Sequence, residues 1–182
     1  MPRFTKLQMS NHTPQATMGT KSEPLPVYQA LIEEITSELN VRIREHGLFH
    51  PSLAESLNSM ALVHLHMLHN PQEALKYHSK ACAILLPVYK NEYESMVQQD
   101  RKKLSICLAV TYGDIGNVKW ALHDYENAEK SYIAALDVFR TENLSDSHPR
   151  VYSVRNRLNL LHRYWNMDTV ENNEVSFNKM TM

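Results

Sequence analysis

Apolar residues recur every three or four positions through most of the chain, a spacing that places them on one face of a helix. The first such stretch follows Pro26 and ends at Gly47, with Glu33 and Glu34 on its polar side. Later stretches begin where a proline or a short polar side chain suits a first helical turn: His50-Pro51, Asn70-Pro71, Asp100, Asp124 and Pro149. The pattern predicts an all-α chain of about six helices.

The stretch Ala109–Arg140 combines small and large residues most regularly. Two helical patterns in it are joined by a very short turn at His123-Asp124. Small residues stand where two helices would approach closely, and large ones where the space beside such a contact needs filling. The small residues are Gly116, Ala128 and Ala135, and the large ones are Tyr112, Tyr125 and Tyr132. This arrangement predicts an antiparallel helix pair.

These residues resemble the tetratricopeptide repeat, a helix-turn-helix unit of about 34 residues. The family's small and large positions are met in order by Gly116, Tyr125, Ala128, Tyr132, Ala135 and Leu136. Lys119 stands where the family usually has an aromatic residue, and Arg140 where a proline often ends the unit. The resemblance implies a short α-solenoid, in which antiparallel helix pairs stack side by side.

Two internal similarities extend the resemblance beyond this pair. Matching residues are 54 apart (Ala74 with Ala128, Ala81 with Ala135) or 98 apart (His50-Pro51 with His148-Pro149, Asn58 with Asn156). Long units that open with His-Pro are similar to those of kinesin light chains and nephrocystin-like proteins. The predicted order is a lone helix, two helix pairs and a terminal helix over Pro149–Trp165 that lacks its second helix.

The repeat-like domain is predicted to span residues 25–166. Segment 1–24 is rich in Ser, Thr, Asn, Gln and Lys, which predicts a disordered N-terminal tail. Segment 167–182 is polar and has no convincing apolar face, so we expect a loose C-terminal tail there.

Composition narrows the expected partners. Lys+Arg 19 nearly balance Asp+Glu 20, whereas a nucleic-acid partner requires a clustered basic face. No apolar run approaches the ~18 residues of a membrane span, and the N-terminus lacks the hydrophobic centre of a signal peptide. We therefore expect no nucleic-acid or membrane partner, and a cytoplasmic location in which Cys82 and Cys107 stay reduced.

The residues that carry chemistry do not form a catalytic or metal-binding pattern. His64 and His66 are two apart on a predicted helix, so they point about 200° away from each other and cannot chelate one ion. Gly113 and Gly116 lie inside a helix and not after a strand, so they do not form a phosphate loop. Cys107 has apolar neighbours, which predicts an inert thiol. We expect no metal, no cofactor and no enzymatic activity.

Binding is the expected activity, on the concave face that the first helices of stacked pairs line. The resemblance places groove-facing positions on Ser59, Val63, His66, Gly113, Asn117, Trp120, Arg157, Leu161 and Tyr164. Asn117 stands where the family often has an asparagine whose amide bonds the backbone of an extended peptide, although it can equally be a capping or solvated residue. Arg157 can pair with an acidic residue or a terminal carboxylate, or it is an exposed helix charge. Gly113 replaces the lysine of the family's chaperone-tail clamp, which argues against that function.

Aromatic residues add a second possibility. Trp120 is either a stacking anchor for a peptide or filler between adjacent pairs. Tyr164 and Trp165 lie at the end of the predicted array, which implies contact with a further repeat, a second copy or a partner. The candidate partner-binding residues are Asn117, Trp120, Arg157, Tyr164 and His66.

The leading hypothesis is a non-enzymatic adaptor or scaffold that binds an extended peptide segment of a partner protein. The alternative is a structural or assembly subunit, which packs into a larger complex or self-associates through Tyr164 and Trp165.

Overall fold

The computed structural model describes the backbone of residues 26–180 and the side chains of residues 27–165. Regular structure in that part is entirely helical, without a strand. Its six α-helices are α1 Pro26–His46, α2 Ser52–Leu62, α3 Pro71–Asn91, α4 Gln98–Ala121, α5 Tyr125–Thr141 and α6 Pro149–Met180. The predicted all-α class is confirmed. The tail predicted at 1–24 lies outside the described residues.

Successive helices pack against each other along the chain. The pairs α2–α3 and α4–α5 are each joined by a short connection, and α3 also packs on α4. The lone helix α1 packs on α2, and the terminal helix α6 packs on α5. In addition, α2 contacts α4 and α4 contacts α6, so these three helices form an inner row. The predicted order of a lone helix, two pairs and a terminal helix agrees with this packing.

The α4–α5 pair is held by the contact predicted between small and large residues. A Cβ added to Gly116 would lie 2.6 Å from Cε1 of Tyr132, so the aromatic ring occupies the space that any side chain at Gly116 would need. Ala128, Tyr132 and Ala135 are all fully buried in the main core. Because such packing is lost when one methylene is added or removed, these residues fix the separation of α4 and α5.

The α2–α3 pair contains a buried polar network that also reaches α4. The Asn58 amide nitrogen donates to Thr111 Oγ1 at 2.8 Å, and Thr111 donates in turn to the Cys107 carbonyl oxygen at 2.8 Å. Nδ1 of His78 lies 2.8 Å from Asn58 Oδ1, and the His78 side chain is fully buried. Three helices are therefore joined by directional bonds as well as by apolar contact.

The extra length of the first repeat-like unit lies in α3 and the connection after it. Pro87 is inside α3, which continues to Asn91 without ending at the proline. The Tyr89 hydroxyl lies 3.1 Å from Thr141 Oγ1, and the Tyr93 hydroxyl donates to Glu142 Oε1 at 2.5 Å. The surplus residues thus pack against the end of α5.

The helix caps agree only partly with their predictions. Asn70 is the N-cap of α3, since its side-chain oxygen accepts from the Glu73 backbone N–H at 3.1 Å, as predicted. Asp100 was predicted to cap α4, but the helix begins at Gln98 and Asp100 lies in its first turn. Asp124 precedes α5 as expected, yet its carboxylate accepts from the Asn127 side chain and not from a free backbone amide. Side-chain amides can compete for a capping carboxylate, and sequence spacing alone does not reveal this.

Helix α6 is longer than its apolar pattern predicted. Its backbone continues as helix from Pro149 to Met180, past Trp165 where the apolar face was expected to end. A second helix folded back on α6 is absent from the described residues, as predicted. That 167–182 is a loosely attached tail stays a prediction, since no side chain after Trp165 is described. None of the described helices is both long and apolar enough to cross a membrane.

Candidate binding groove

The inner row of helices carries two depressions. One lies between α4 and α6, has a volume of about 310 Å³, and is called the α4–α6 groove below. It is lined by Val110, Gly113, Asp114, Asn117, Phe139, Pro149, Arg150, Ser153, Val154 and Arg157. The other lies between the first turns of α2 and α4 and has a volume of about 450 Å³. Apolar surface with a few polar side chains around it is typical of a binding site.

The α4–α6 groove brings together two of the five predicted binding residues. Asn117 lies on its α4 wall and Arg157 on its α6 wall. Val154 packs beside Gly113, where an added Cβ would lie 3.2 Å from the Val154 methyl carbon. Gly113 therefore lets α6 approach α4 closely.

Asn117 is held by bonds within the chain. Its side-chain oxygen accepts from the Tyr132 hydroxyl at 2.8 Å, and its amide nitrogen donates to Asp114 Oδ1 at 3.3 Å. An amide carries two N–H donors and two acceptor lone pairs, so one of each remains for a ligand. The side chain is positioned by its neighbours, which lowers the entropy cost of using it in binding.

Asp114 is a groove residue that the sequence analysis missed. Burial raises the pKa of its carboxyl group to about 6, while the hydrogen bond from Asn117 and the positive charges of Arg157 and His66 act in the opposite direction. A carboxyl group with a pKa raised by burial in a groove is characteristic of functional sites. Its position three residues before Asn117, on the same helical face, is the signal from which it could have been found.

Two arginines on α6 face the α4–α6 groove without a carboxylate partner in the described part of the chain. Arg150 and Arg157 are seven residues apart, so they lie on one face of α6 about 10 Å from each other. Neither belongs to an ion pair, whereas Arg155 on the same helix pairs with Asp146 outside the groove at 2.5 Å. Their charges reach Asp114 only at a distance, as the effect on its pKa indicates.

Trp120 and Tyr164 belong to an aromatic cluster outside the lining of the α4–α6 groove. Their ring centroids are 6.4 Å apart, and Tyr125 contacts both Tyr164 at 6.0 Å and Trp165 at 6.4 Å. Tyr164 remains 51% exposed, while Trp120 and Trp165 are half-buried. Such offset aromatic contacts stabilise the junction of α4, α5 and α6. Binding at Trp120 and Tyr164 stays a prediction.

The remaining predicted groove positions are divided between surface and core. His66 is exposed in the helical turn Val63–Met67, close enough to Asp114 to influence its pKa. Val63 and Leu161 were predicted to face the groove, but both are buried, at 4% and 0% exposure. The two residues are 98 apart (161−63), so corresponding positions of α2 and α6 both face the core, whereas Asn117 at that position of α4 lines the groove.

Burial keeps the side chains of Cys107 and His78 in their neutral forms at neutral pH. Burial raises the pKa of the Cys107 thiol to about 11, which keeps it protonated at neutral pH. Burial lowers the pKa of His78 to about 4, which keeps its imidazole neutral. No group of three His, Cys, Asp or Glu side chains between residues 27 and 165 is placed to hold a metal ion. That the chain has no enzymatic activity stays a prediction.

Comparison with known proteins gives no family assignment: the chain matches no protein-family model and no curated protein.

Proposed function

We propose that this chain is a tetratricopeptide-like adaptor that binds an extended acidic peptide segment of a partner protein in the α4–α6 groove. The family assignment rests on the small and large residues of the α4–α5 pair, above all the contact of Gly116 with Tyr132. The inner row of α2, α4 and α6 supports it, because stacked helix pairs expose their first helices on one face.

The observation that carries the proposal is the pair of unpaired arginines above an apolar floor. Arg150 and Arg157 present guanidinium groups on one wall, and Val110 and Val154 supply apolar surface between the walls. A guanidinium binds a carboxylate through two parallel hydrogen bonds, which favours an acidic side chain in the bound segment. The free donor and acceptor of Asn117 then suit a backbone peptide group of the same segment.

The proposed role needs no chemistry from the protein itself. A cytoplasmic location belongs to the proposal and is supported by the two cysteines, Cys82 and Cys107, which are both free thiols. Assembly through α6 is the second candidate function. It is favoured by the exposed residues of that helix, of which Tyr152 is 64% and Tyr164 51% exposed.

The test is selection of peptides from a random displayed library, followed by fluorescence polarisation with the enriched sequences. We expect enrichment of Asp and Glu, and we expect Arg150→Gln and Arg157→Gln each to weaken binding about tenfold, since each removes one charged contact. Arg155→Gln is the matched control, because it removes the same charge from the same helix outside the groove. Enriched peptides that bind both groove variants as tightly as the control would refute the proposed site.

A further inference from the structure

The two end helices of the array each leave one face uncovered. Within the described part of the chain, α1 packs on α2 and the turn that continues it, whereas α6 packs on α5 and α4. The uncovered face of α1 carries Ala30, Glu34, Ser37 and Val41, and that of α6 carries Tyr152, Asn156, Asn159 and Arg163, all exposed. In the described part of the chain, the first and the last helix therefore each have room for one more neighbour.

In a complete pair, the second helix packs on the first helix through one particular face. The uncovered face of α1 corresponds to that face of a second helix. The 98-residue spacing of His50-Pro51 and His148-Pro149 also relates α1 to α5, so the four residues correspond to Ala128, Tyr132, Ala135 and Phe139 (128−30, 132−34, 135−37, 139−41). In α5 these residues are at most 1% exposed, with Tyr132 against Gly116 of α4.

The uncovered face of α6 corresponds to a face of the first helix in a complete pair. It is the face on which the second helix of that pair packs. The same spacing relates its four residues to Ala54, Asn58, Ala61 and Leu65 (152−54, 156−58, 159−61, 163−65). In the α2–α3 pair, Asn58 bonds His78, and Ala61 shares a cluster with Ala74. Within the described residues, therefore, no first helix pairs with α1 and no second helix pairs with α6.

The two faces also differ in charge. Among the residues of the two faces, that of α6 carries Arg163 and no acidic residue, whereas that of α1 carries Glu34 and no basic residue. Two copies of α6 would repel each other, and so would two copies of α1. Opposite ends therefore attract, and like ends do not.

We propose that copies of this chain assemble head to tail, with α6 of one copy packed on α1 of the next as the missing helix pair. The α2–α3 arrangement, transferred to this contact, places Asn156 opposite Glu34 and Tyr152 near Ser37 and Val41. Asn156 then faces Glu34 as Asn58 faces His78 within the chain, but here the amide nitrogen donates to the carboxylate, whereas Asn58 accepts from His78 through its oxygen. Such an interface is heterologous, so assembly continues beyond a dimer and extends the inner row from copy to copy.

The experiment measures the weight-average mass of the full chain by sedimentation equilibrium over a range of concentrations. We expect the mass to rise past that of a dimer. Asn156→Glu places a carboxylate against Glu34, and Glu34→Arg removes the acceptor of the Asn156 amide and adds a positive charge to the contact with the Arg163-bearing face, so each is expected to raise the concentration needed for assembly at least about tenfold. An equimolar mixture of the two variants is expected to assemble like the wild type. In an alternating array, one contact pairs the introduced glutamate with the introduced arginine, and the next pairs the native Asn156 with the native Glu34.

The matched control is Gln72→Glu, an equal charge change at an exposed position of α3 outside both faces. A wild-type chain that stays monomeric at every concentration would overturn the proposal. So would a mixture of the two variants that assembles no better than either alone, or a dimer that Asn156→Glu does not weaken. None of these residues lines the α4–α6 groove, so failure here is distinguishable from failure of the peptide-binding proposal.

Discussion

The two complete helix pairs place different side chains at one corresponding point. Tyr132 in α5 and His78 in α3 are 54 residues apart (132−78) and both fully buried. The Tyr132 ring packs on Gly116 and its hydroxyl bonds Asn117. The His78 ring bonds Asn58, while its Nε2 has no hydrogen-bond partner in the described residues. The same backbone position is therefore stabilised by apolar packing in one pair and by a hydrogen-bond network in the other.

The direction of the hydrogen bonds fixes the state of His78. Thr111 donates its hydroxyl proton to a carbonyl oxygen, so it accepts from the Asn58 amide nitrogen. Asn58 therefore presents its oxygen to His78, and His78 must carry its proton on Nδ1. This leaves Nε2 as a buried, unpaired acceptor, and adding a proton there would create an uncompensated charge. The α2–α3 pair is thus sensitive to acid in a way that the α4–α5 pair is not.

Removal of the Tyr132 side chain should have the largest effect. Tyr132→Ala leaves a cavity beside Gly116 in the main core, and we expect a loss of about 3–5 kcal/mol in the free energy of unfolding, measured by urea denaturation. Tyr132→Phe removes only the hydroxyl bond to Asn117 and should cost about 1 kcal/mol. Equal losses in the two variants would mean that the ring contact does not hold the pair together.

Acid should weaken the α2–α3 pair through His78. Burial lowers the folded pKa to about 4 from its ordinary value of 6.5, so below pH 6.5 the unfolded chain binds a proton that the folded chain excludes. Stability is then present above pH 6.5 and lost as the pH falls towards 4, by about 3 kcal/mol in total. Urea denaturation between pH 7.5 and 4 should show this loss as the difference between the wild type and His78→Leu, because protonation of Asp114 acts in the opposite direction in both chains. A dependence on pH in His78→Leu that equals that of the wild type would assign the acid sensitivity elsewhere.

Gly116→Ala tests the contact between Gly116 and Tyr132 by changing the residue on α4. Alanine favours a helix by about 1 kcal/mol over glycine, but its methyl group would lie 2.6 Å from the Tyr132 ring. Because the ring must shift, we expect a net loss of about 1–2 kcal/mol in the free energy of unfolding. In a Tyr132→Leu background the clash is relieved, so the same change should become neutral or stabilising. A loss that persists in that background would contradict the assignment of Gly116 to close helix approach.

Local chemistry predicted those parts of the molecule that depend on neighbouring residues along the chain. Asn70-Pro71 began a helix, and Gly116 marked a close approach, because caps and small residues act within one or two turns. Which groove positions are buried was not predictable in this way: Val63 and Leu161 pack in the core, because their burial depends on the helices packed around them. Asp114 was overlooked because a lone carboxyl group in a helix gains significance only when another helix partly buries it.

Asp114 marks a second position at which the two helix pairs differ, and it lies in the α4–α6 groove. Its counterpart 54 residues earlier is Met60, which is buried beneath Ile35 of α1 (114−60). Where α1 covers the first pair with apolar residues, the second pair presents a carboxyl group to an open groove. The folded pKa of this group is raised to about 6 from 3.8, so its contribution to stability is present below pH 3.8 and lost as the pH rises through 6.

Asp114→Asn should therefore stabilise the folded chain at neutral pH. The neutral amide has no charge to desolvate and still offers Asn117 an oxygen, so we expect a gain of about 1 kcal/mol at pH 7.5, discounted for the partial exposure of the site. The gain should vanish near pH 4, where the aspartic acid is itself protonated. Urea denaturation at both pH values is the measurement, and Asp137→Asn, an exposed aspartate of α5, is the control. A gain at pH 7.5 combined with tighter binding of acidic peptides would mean that Asp114 opposes the charge of the proposed ligand and shapes its affinity. Destabilisation at pH 7.5 would mean instead that the ionised carboxylate holds Asn117 and the groove wall in place.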